Sequence, residues 1–458
     1  MKKLSNYCVV LLLAVLTSCG SSFNGGELMG VDQRPSFSEP DPYGMVFIPQ
    51  GSFNMGPNDQ DVAWAASSLT KTVTVMPFWM DQTEITNNEY RQFVYWVRDS
   101  IMRRMLGEQL DDYVITEDEY GNVIDPAAIN WSMEIDTRDE EINEILSDLY
   151  LNQQERFYNR KEIDTRKLNY EYFWIDLNQA ANKSNRYNPD TKQYEGFVID
   201  NQGERVEIND RSAFVIRDMV NVYPDTLVWI ADFTYSYNEP FTQNYFWHPS
   251  YDNYPVVGVS WKQANAFCIW RSMYLNASLH ASGMPSVPDY RLPIETEWEY
   301  ASRGGLDNSM YPWGGYYSRN KDGCFLANFK PLRGNYSDDG GVTTVPVGTY
   351  APNEYGLYDM SGNVAEWTSS AYDESAYMFT NDLNPDYRYN AKPDDPPVMK
   401  RKVIRGGSWK DLAYYIQVST RDYEYQDTSK SYIGFRCILP YLGRNKDDNP
   451  ARASRVYN

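Results

Sequence analysis

Apolar and polar positions alternate from Met45 and run into Gly51 and Gly56, which predicts a strand, a turn and a second strand edge over residues 45–56. A polar stretch follows, and alternation returns from Val73. Thr86 with Glu89 three residues on forms a capping box, so a helix is expected to start there. Tyr90, Phe93, Val94, Val97, Ile101 and Met105 then fall on one face at helical spacing. That stripe reads as core, not as a cofactor site. Residues 106–253 lose clean periodicity and turn acidic and tyrosine-rich, which marks an insertion or subdomain. Within it residues 226–237 look strand-like and residues 137–150 look like an acidic amphipathic helix, whose charges read first as a solvated face.

Compact patterning resumes over 254–271. A buried strand is expected there, then a Ser260 cap and a helix with Trp261, Ala264, Phe267, Cys268 and Arg271 along one side. Residues 291–305 predict a short helix stopped by the pair Gly304 and Gly305. Residues 353–367, 405–422 and 433–437 close the body, and residues 443–458 form a polar tail expected to hold little structure.

The N-terminus carries a different signal. Lys2 and Lys3 precede an apolar run over 9–16 that closes on Leu16, Thr17, Ser18 and Cys19. This run is shorter than the roughly 18 to 20 residues a membrane-spanning helix needs, so residues 1–19 read as a signal peptide. The small residues before Cys19 match a lipobox, which makes Cys19 the expected lipidation site and residue one of the mature chain; an ordinary cleaved signal with an incidental cysteine is the alternative. The position directly after Cys19 holds Gly20 and no acidic residue, which fits lipid anchoring at the periplasmic face of an outer membrane. Residues 20–43, punctuated by Pro35, Pro40 and Pro42, suit a tether.

Composition narrows the function. Forty-two Lys and Arg oppose 63 Asp and Glu, a net charge of −21, and such a surface repels nucleic acid. Aromatic residues make up 15% of the chain, 39 of them tyrosines, which suits either a contact-rich surface or a loop-heavy core filled by rings. Once Cys8 leaves with the signal and Cys19 is acylated, Cys268, Cys324 and Cys437 remain, enough for one intrachain disulfide. The only histidines are His248 and His280, and a lone histidine is more often a packed or surface residue than a ligand.

The ordered motifs over about residues 43–105 and 254–440, among them the segments at 45–56, 291–305, 353–367, 405–409 and 433–437, resemble the formylglycine-generating enzyme and sulfatase-modifying factor family. That resemblance implies a loop-rich α+β fold related to C-type lectins, covering residues 44–442 with 106–253 as a large insertion. Enzymes of the family use two cysteines placed two and seven residues after the serine-aromatic pair of their RGGS-aromatic motif. Here those places hold Asp411 and Ile416, so the resemblance implies no thiolate pair, no copper and no catalysis. The histidine-bound iron of the sulfoxide-synthase branch also lacks its ligands. Cys268 and Cys437 match two positions that pair in some family enzymes, which implies a disulfide and leaves Cys324 as a free, buried thiol.

Two structural calcium sites carry over as well. Asp359, Glu366 and the carbonyls of Gly362 and Val364 match one, and Asn328, Asp339 and the carbonyls of Phe329 and Gly341 the other. The plainer reading of both is a set of turns held by Asx-type hydrogen bonds. Ile294 departs from the family pattern, which has a capping Thr there, so that helix cap is expected to be weakened by roughly 1 kcal/mol.

Within the family, the lipobox, the insertion and the motifs together are similar to gliding-motility lipoproteins of the type IX secretion system. That implies a non-catalytic subunit of a periplasmic ring under the outer membrane, associating with itself and with a GldN/PorN-like periplasmic protein. The ring contact is expected in the insertion and in the tyrosine-rich stretch 372–389. A calcium-dependent glycan or peptidoglycan-binding lectin-like lipoprotein is the alternative.

Overall fold

The structure is a computed structural model that describes residues 41–57, 70–118, 120–158, 160–200, 203–233 and 239–443. The expected signal peptide, the expected lipidation site Cys19, the expected tether up to residue 40 and the expected tail beyond Gly443 lie outside the described residues. Met45–Ile48 (β1) pairs antiparallel with Phe78–Asp81 (β4), whose other edge takes Ile438–Pro440 (β13), so the two ends of the body meet in one sheet. Gly51–Met55 (β2) and Lys71–Val75 (β3) form a separate hairpin. A four-stranded sheet runs in the order Asp422–Tyr425 (β11), Arg401–Arg405 (β10), Ala365–Ala371 (β9) and Ile433–Gly434 (β12), parallel only between β9 and β12.

Two long helices share one apolar core with residues of the two larger sheets. Asn87–Gly107 (α1) starts at the expected capping box, with Glu89 returning a carboxylate to the Thr86 N–H at 2.8 Å. Trp261–Ala281 (α4) starts at Ser260, where Gln263 completes a second box, and runs ten residues past the expected Arg271. Tyr90, Phe93, Val94 and Val97 are buried as the stripe requires, and Tyr90 stacks on Phe267 at 5.6 Å. Ile101 and Met105 are half-buried and turn to a satellite cluster with Leu106, Tyr113, Ile142 and Leu146. Glu295–Arg303 (α5) ends at Gly304, which takes φ +60°. Ile294 offers no side-chain cap, and only the Glu297 carboxylate accepts from its N–H, at 3.0 Å. With mixed helices, separate small sheets and long loops, the body is α+β.

The insertion is built of short elements. Glu140–Ile145 (α2) is the short helix expected in 137–150, continued by a 3-10 turn to Leu149. Asn169–Ile175 (β7) and Val215–Asn221 (β8) form a seven-residue antiparallel ribbon whose Tyr170 packs edge-on against Phe93 at 5.3 Å. Here β5 and β6 denote the hairpin Val114–Glu117 and Val123–Ile129.

Two expectations fail on backbone grounds. Over 226–233 the expected strand 226–237 does not form: Val228–Asp232 is a helix (α3), opened by an Asx turn in which the Asp225 carboxylate accepts from the Leu227 N–H at 2.9 Å, while 234–237 lie outside the described residues. A short apolar run has no periodicity with which to separate the two. The buried run 254–259 forms no strand, and its one bridge among the described residues is that of Pro255 with Thr86. Its backbone is satisfied piecewise, Val256 N–H by Ile85 O at 2.8 Å and Gly258 N–H by Lys430 O at 2.9 Å.

Candidate functional site

The loop after β10 carries the RGGSW motif. Gly406 and Gly407 take φ +91° and +66°, and a Cβ on Gly407 would stand 2.7 Å from the Tyr415 carbonyl, so glycine is required there. The turn that follows is closed by Asp411, whose Oδ2 accepts from the Ser408 hydroxyl at 2.6 Å and from the Ser408 N–H at 2.9 Å. Burial pushes the Asp411 carboxyl up. Ile416 is fully buried among Met310, Tyr311, Ala327 and Phe329. The two expected cysteine positions therefore hold a turn-closing acid and a core aliphatic.

The insertion reaches this loop. Trp229 on α3 stacks over Trp409 at 6.0 Å, and Phe233 does so at 6.1 Å. Asp232 pairs with Lys410 and also accepts from the Ser431 hydroxyl. Sequence reasoning missed this cover because the run was read as a strand.

The residues expected to hold calcium converge, but not as open ligand sets. Glu366 is buried and gives both carboxylate oxygens to Arg436, at 2.7 and 2.6 Å, while Trp298 Nε1 donates to it at 2.8 Å. Asp359 sits at φ +55° and accepts from the Gly348 N–H at 2.6 Å. Glu84, which the sequence reading did not single out, completes the cluster: it accepts from Val364 N–H at 3.1 Å and from Asn363 Nδ2 at 2.8 Å. Burial, then repulsion from Asp359 and Glu366, raises the Glu84 carboxyl well above its ordinary range. Burial raises Asp359 to about 6. Three carboxylates thus share one guanidinium, and protonation relieves the excess charge.

In the second set, Asp339 accepts from the N–H groups of Phe329 at 2.7 Å and Gly341 at 3.1 Å, the residues whose carbonyls were expected as ligands. Asn328 donates to Thr343 O at 2.9 Å and to Asn363 Oδ1 at 3.2 Å, which ties the two sets together. Gly362 lies at this junction, where a Cβ would meet Asn328 O at 2.2 Å. Among the described residues no group of three His, Cys, Asp or Glu is placed to hold a metal ion. The donor sets do not fit calcium as expected, because Glu366 is committed to Arg436 and Asp339 to backbone amides.

Cys268 and Cys437, the pair the resemblance implies, are brought together in the core with their Sγ atoms 3.3 Å apart. Burial, then the neighbouring Cys268, pushes the Cys437 thiol up, which disfavours the thiolate. Cys324 is exposed, not buried, because it ends a surface turn in which Asn320 Oδ1 accepts its N–H at 2.9 Å. Each histidine has a local partner: His248 Nδ1 accepts from Ser250 N–H, and His280 Nε2 lies 2.8 Å from Ser286 Oγ.

Residues 33–440 match the family described as Sulfatase-modifying factor enzyme 1-like domain. The chain is 34% identical over 200 residues to Inactive C-alpha-formylglycine-generating enzyme 2 of Mus musculus, covering 42% of this chain and 51% of that one. It is also 34% identical over 200 residues to Formylglycine-generating enzyme of Mus musculus, covering 42% and 45%. The chain thus spans about half the length of these curated relatives. Among solved structures, PvdO from Pseudomonas aeruginosa aligns with a TM-score of 0.42 at 16% identity, over 89% of this chain and 100% of that one.

Proposed function

The chain belongs to the sulfatase-modifying factor family, and from that premise we propose that it is a non-catalytic, lipid-anchored scaffold of the GldK/PorK kind, a subunit of the type IX secretion system. One observation carries the non-catalytic part: Asp411 and Ile416 stand where the family's thiols would stand, and both are built into the fold. A relative named as an inactive enzyme supports it, although relatives named as active enzymes match comparably well. Cys19 would hold each copy at one height on the periplasmic face of the outer membrane. A ring could then form from repeated contacts between copies and a GldN/PorN-like periplasmic protein. The aromatic packing of the insertion on α1 and over Trp409 gives such a subunit the rigidity that repeated contacts need.

The test is a mild-detergent extraction of the tagged lipoprotein from its own outer membrane, with partner identification and electron microscopy. Large rings containing a GldN-like protein are expected, while particles without that protein would point instead to the related lipoprotein GldJ. A monomer retained on a peptidoglycan or glycan column would overturn the scaffold reading in favour of a lectin-like one.

A further inference from the structure

We propose that copies of this chain pair edge to edge through the β7–β8 ribbon of the insertion, head to tail, the β7 edge of one copy against the β8 edge of the next. The inference rests on the scaffold reading above and assigns its self-contact to one surface.

Asp176 N–H donates to Phe214 O and Val222 N–H to Leu168 O, both at 2.9 Å, at the two ends of the ribbon. In an antiparallel ladder this phase turns the even-numbered residues toward the partner strand and the odd-numbered ones outward. The outward backbone of β7 is therefore that of Glu171, Phe173 and Ile175. The same residues carry the exposed face: Phe173 is 66% and Ile175 57% exposed, and Met219 across from Glu171 is 66% exposed. The opposite face is occupied, since Tyr170 and Tyr172 are buried. Among the described residues the sheet has two strands, so each strand is an edge. The Met219 N–H turns to the Asp218 carboxylate at 2.8 Å, and exposed edges of this kind are where another chain adds.

Charge selects the occupant. The chain carries a net −21, so copies repel at long range and can meet only where the surface is apolar and locally balanced. The two ribbon edges differ in the required sense: β7 presents Glu171 between polar and apolar neighbours, and β8 presents Arg217 beside Met219. These two charges already lie 3.8 Å apart within one ribbon, both largely exposed. Extending the ladder in the same register sets Glu171 of one copy opposite Met219 and Phe173 opposite Arg217 of the next, and repeats the diagonal pairing of Glu171 with Arg217 across the contact. Because the two edges are different surfaces, the contact is heterologous and repeats from copy to copy, which an isologous dimer contact does not.

The test uses the full-length lipoprotein in its own outer membrane, on a Cys324→Ser background that removes the exposed native thiol. One tagged copy carries Phe173→Cys and a second, differently tagged copy carries Arg217→Cys, the pair that the shared register sets opposite each other; both sites are exposed, so the fold is not at stake. Oxidation is expected to give a mixed dimer that neither variant gives alone. Homodimers of Phe173→Cys without mixed dimers would mean β7 pairs with β7, which overturns the head-to-tail contact. Rings visible by microscopy with no mixed dimer would overturn this surface and leave the scaffold reading standing. Particles containing a single copy would overturn both.

Discussion

Replacing Asp359 by Asn separates a proton-holding cluster from a calcium site, because the two give changes of opposite sign. The Asp359 carboxyl is raised from 3.8 to about 6, by burial first and also by the nearby Glu366. A carboxyl raised on folding favours the folded state when protonated. Its contribution is complete below the unfolded value near 3.8 and is lost as the pH rises through about 6. The gap, at about 1.36 kcal/mol for each pH unit, sets roughly 3 kcal/mol as an upper figure for what the ionised acid costs above pH 7. Asn retains an oxygen for the Gly348 N–H and tolerates φ +55°, so little else changes. With about 2.1 cal/mol/K of unfolding entropy per residue over a body of roughly 400 residues, 3 kcal/mol corresponds to a rise in Tm of about 3 to 4 °C. The assay is thermal unfolding of both proteins from pH 4 to 8, with calcium or with chelator. The Tm difference should grow from near zero at pH 4 to its full value by pH 7 and ignore calcium. A variant that melts lower than its parent in calcium, with the gap closed by chelator, would refute the reasoning and restore Asp359 as a ligand.

Three further expectations follow from the same geometry. Trp229→Ala opens the aromatic stack over Trp409 and should cost about 3 to 5 kcal/mol in urea unfolding; a loss below about 1 kcal/mol would mean that α3 does not hold the loop. Asp411→Ala leaves the Ser408 hydroxyl and N–H without their acceptor and should cost about 1 to 3 kcal/mol by the same measurement, an unchanged midpoint counting against the turn-closing role. Under native conditions iodoacetamide should label Cys324 and spare Cys268 and Cys437, read by peptide mass; protection of Cys324 would show that its turn is covered.

The elements legible in the sequence were those with local physics behind them. The Thr86 and Glu89 box, the Ser260 cap and the Gly304 stop each depend on a few neighbouring residues, and each lies where the pattern put it. Boundaries that depend on distant partners did not. The run 254–259 reads as a strand but serves as a spacer between Ile85 and Lys430, and the apolar residues around Trp229 became a helix because Trp409 supplies the ring they pack on. The candidate site follows the same division. Asp359, Glu366, Asn328 and Asp339 do converge, yet their partners are set by Arg436 and Glu84, which approach from opposite ends of the chain. Glu84 could have been flagged by one signal, an acid followed at once by buried Ile85 where the capped helix begins.

The retention of the RGGS motif without its thiols has a physical account in this chain. Arg405 is fully buried, pairs with Glu299, and donates to the carbonyls of Ser419 and Thr420 at 2.9 Å each. Glu299 in turn accepts from Arg303 and from the Gly56 N–H at 3.0 Å, linking the β2–β3 hairpin, α5 and β10. Removing one member of such a buried network leaves an uncompensated charge and costs about 3 to 5 kcal/mol. Asp411 and Ile416 sit outside this network, so changing them need not disturb it. Chemistry in this fold resides in side chains that can be exchanged locally, whereas the signature residues beside them hold three elements together. A chain can therefore keep the signature, lose the reaction and remain a rigid body available for another use.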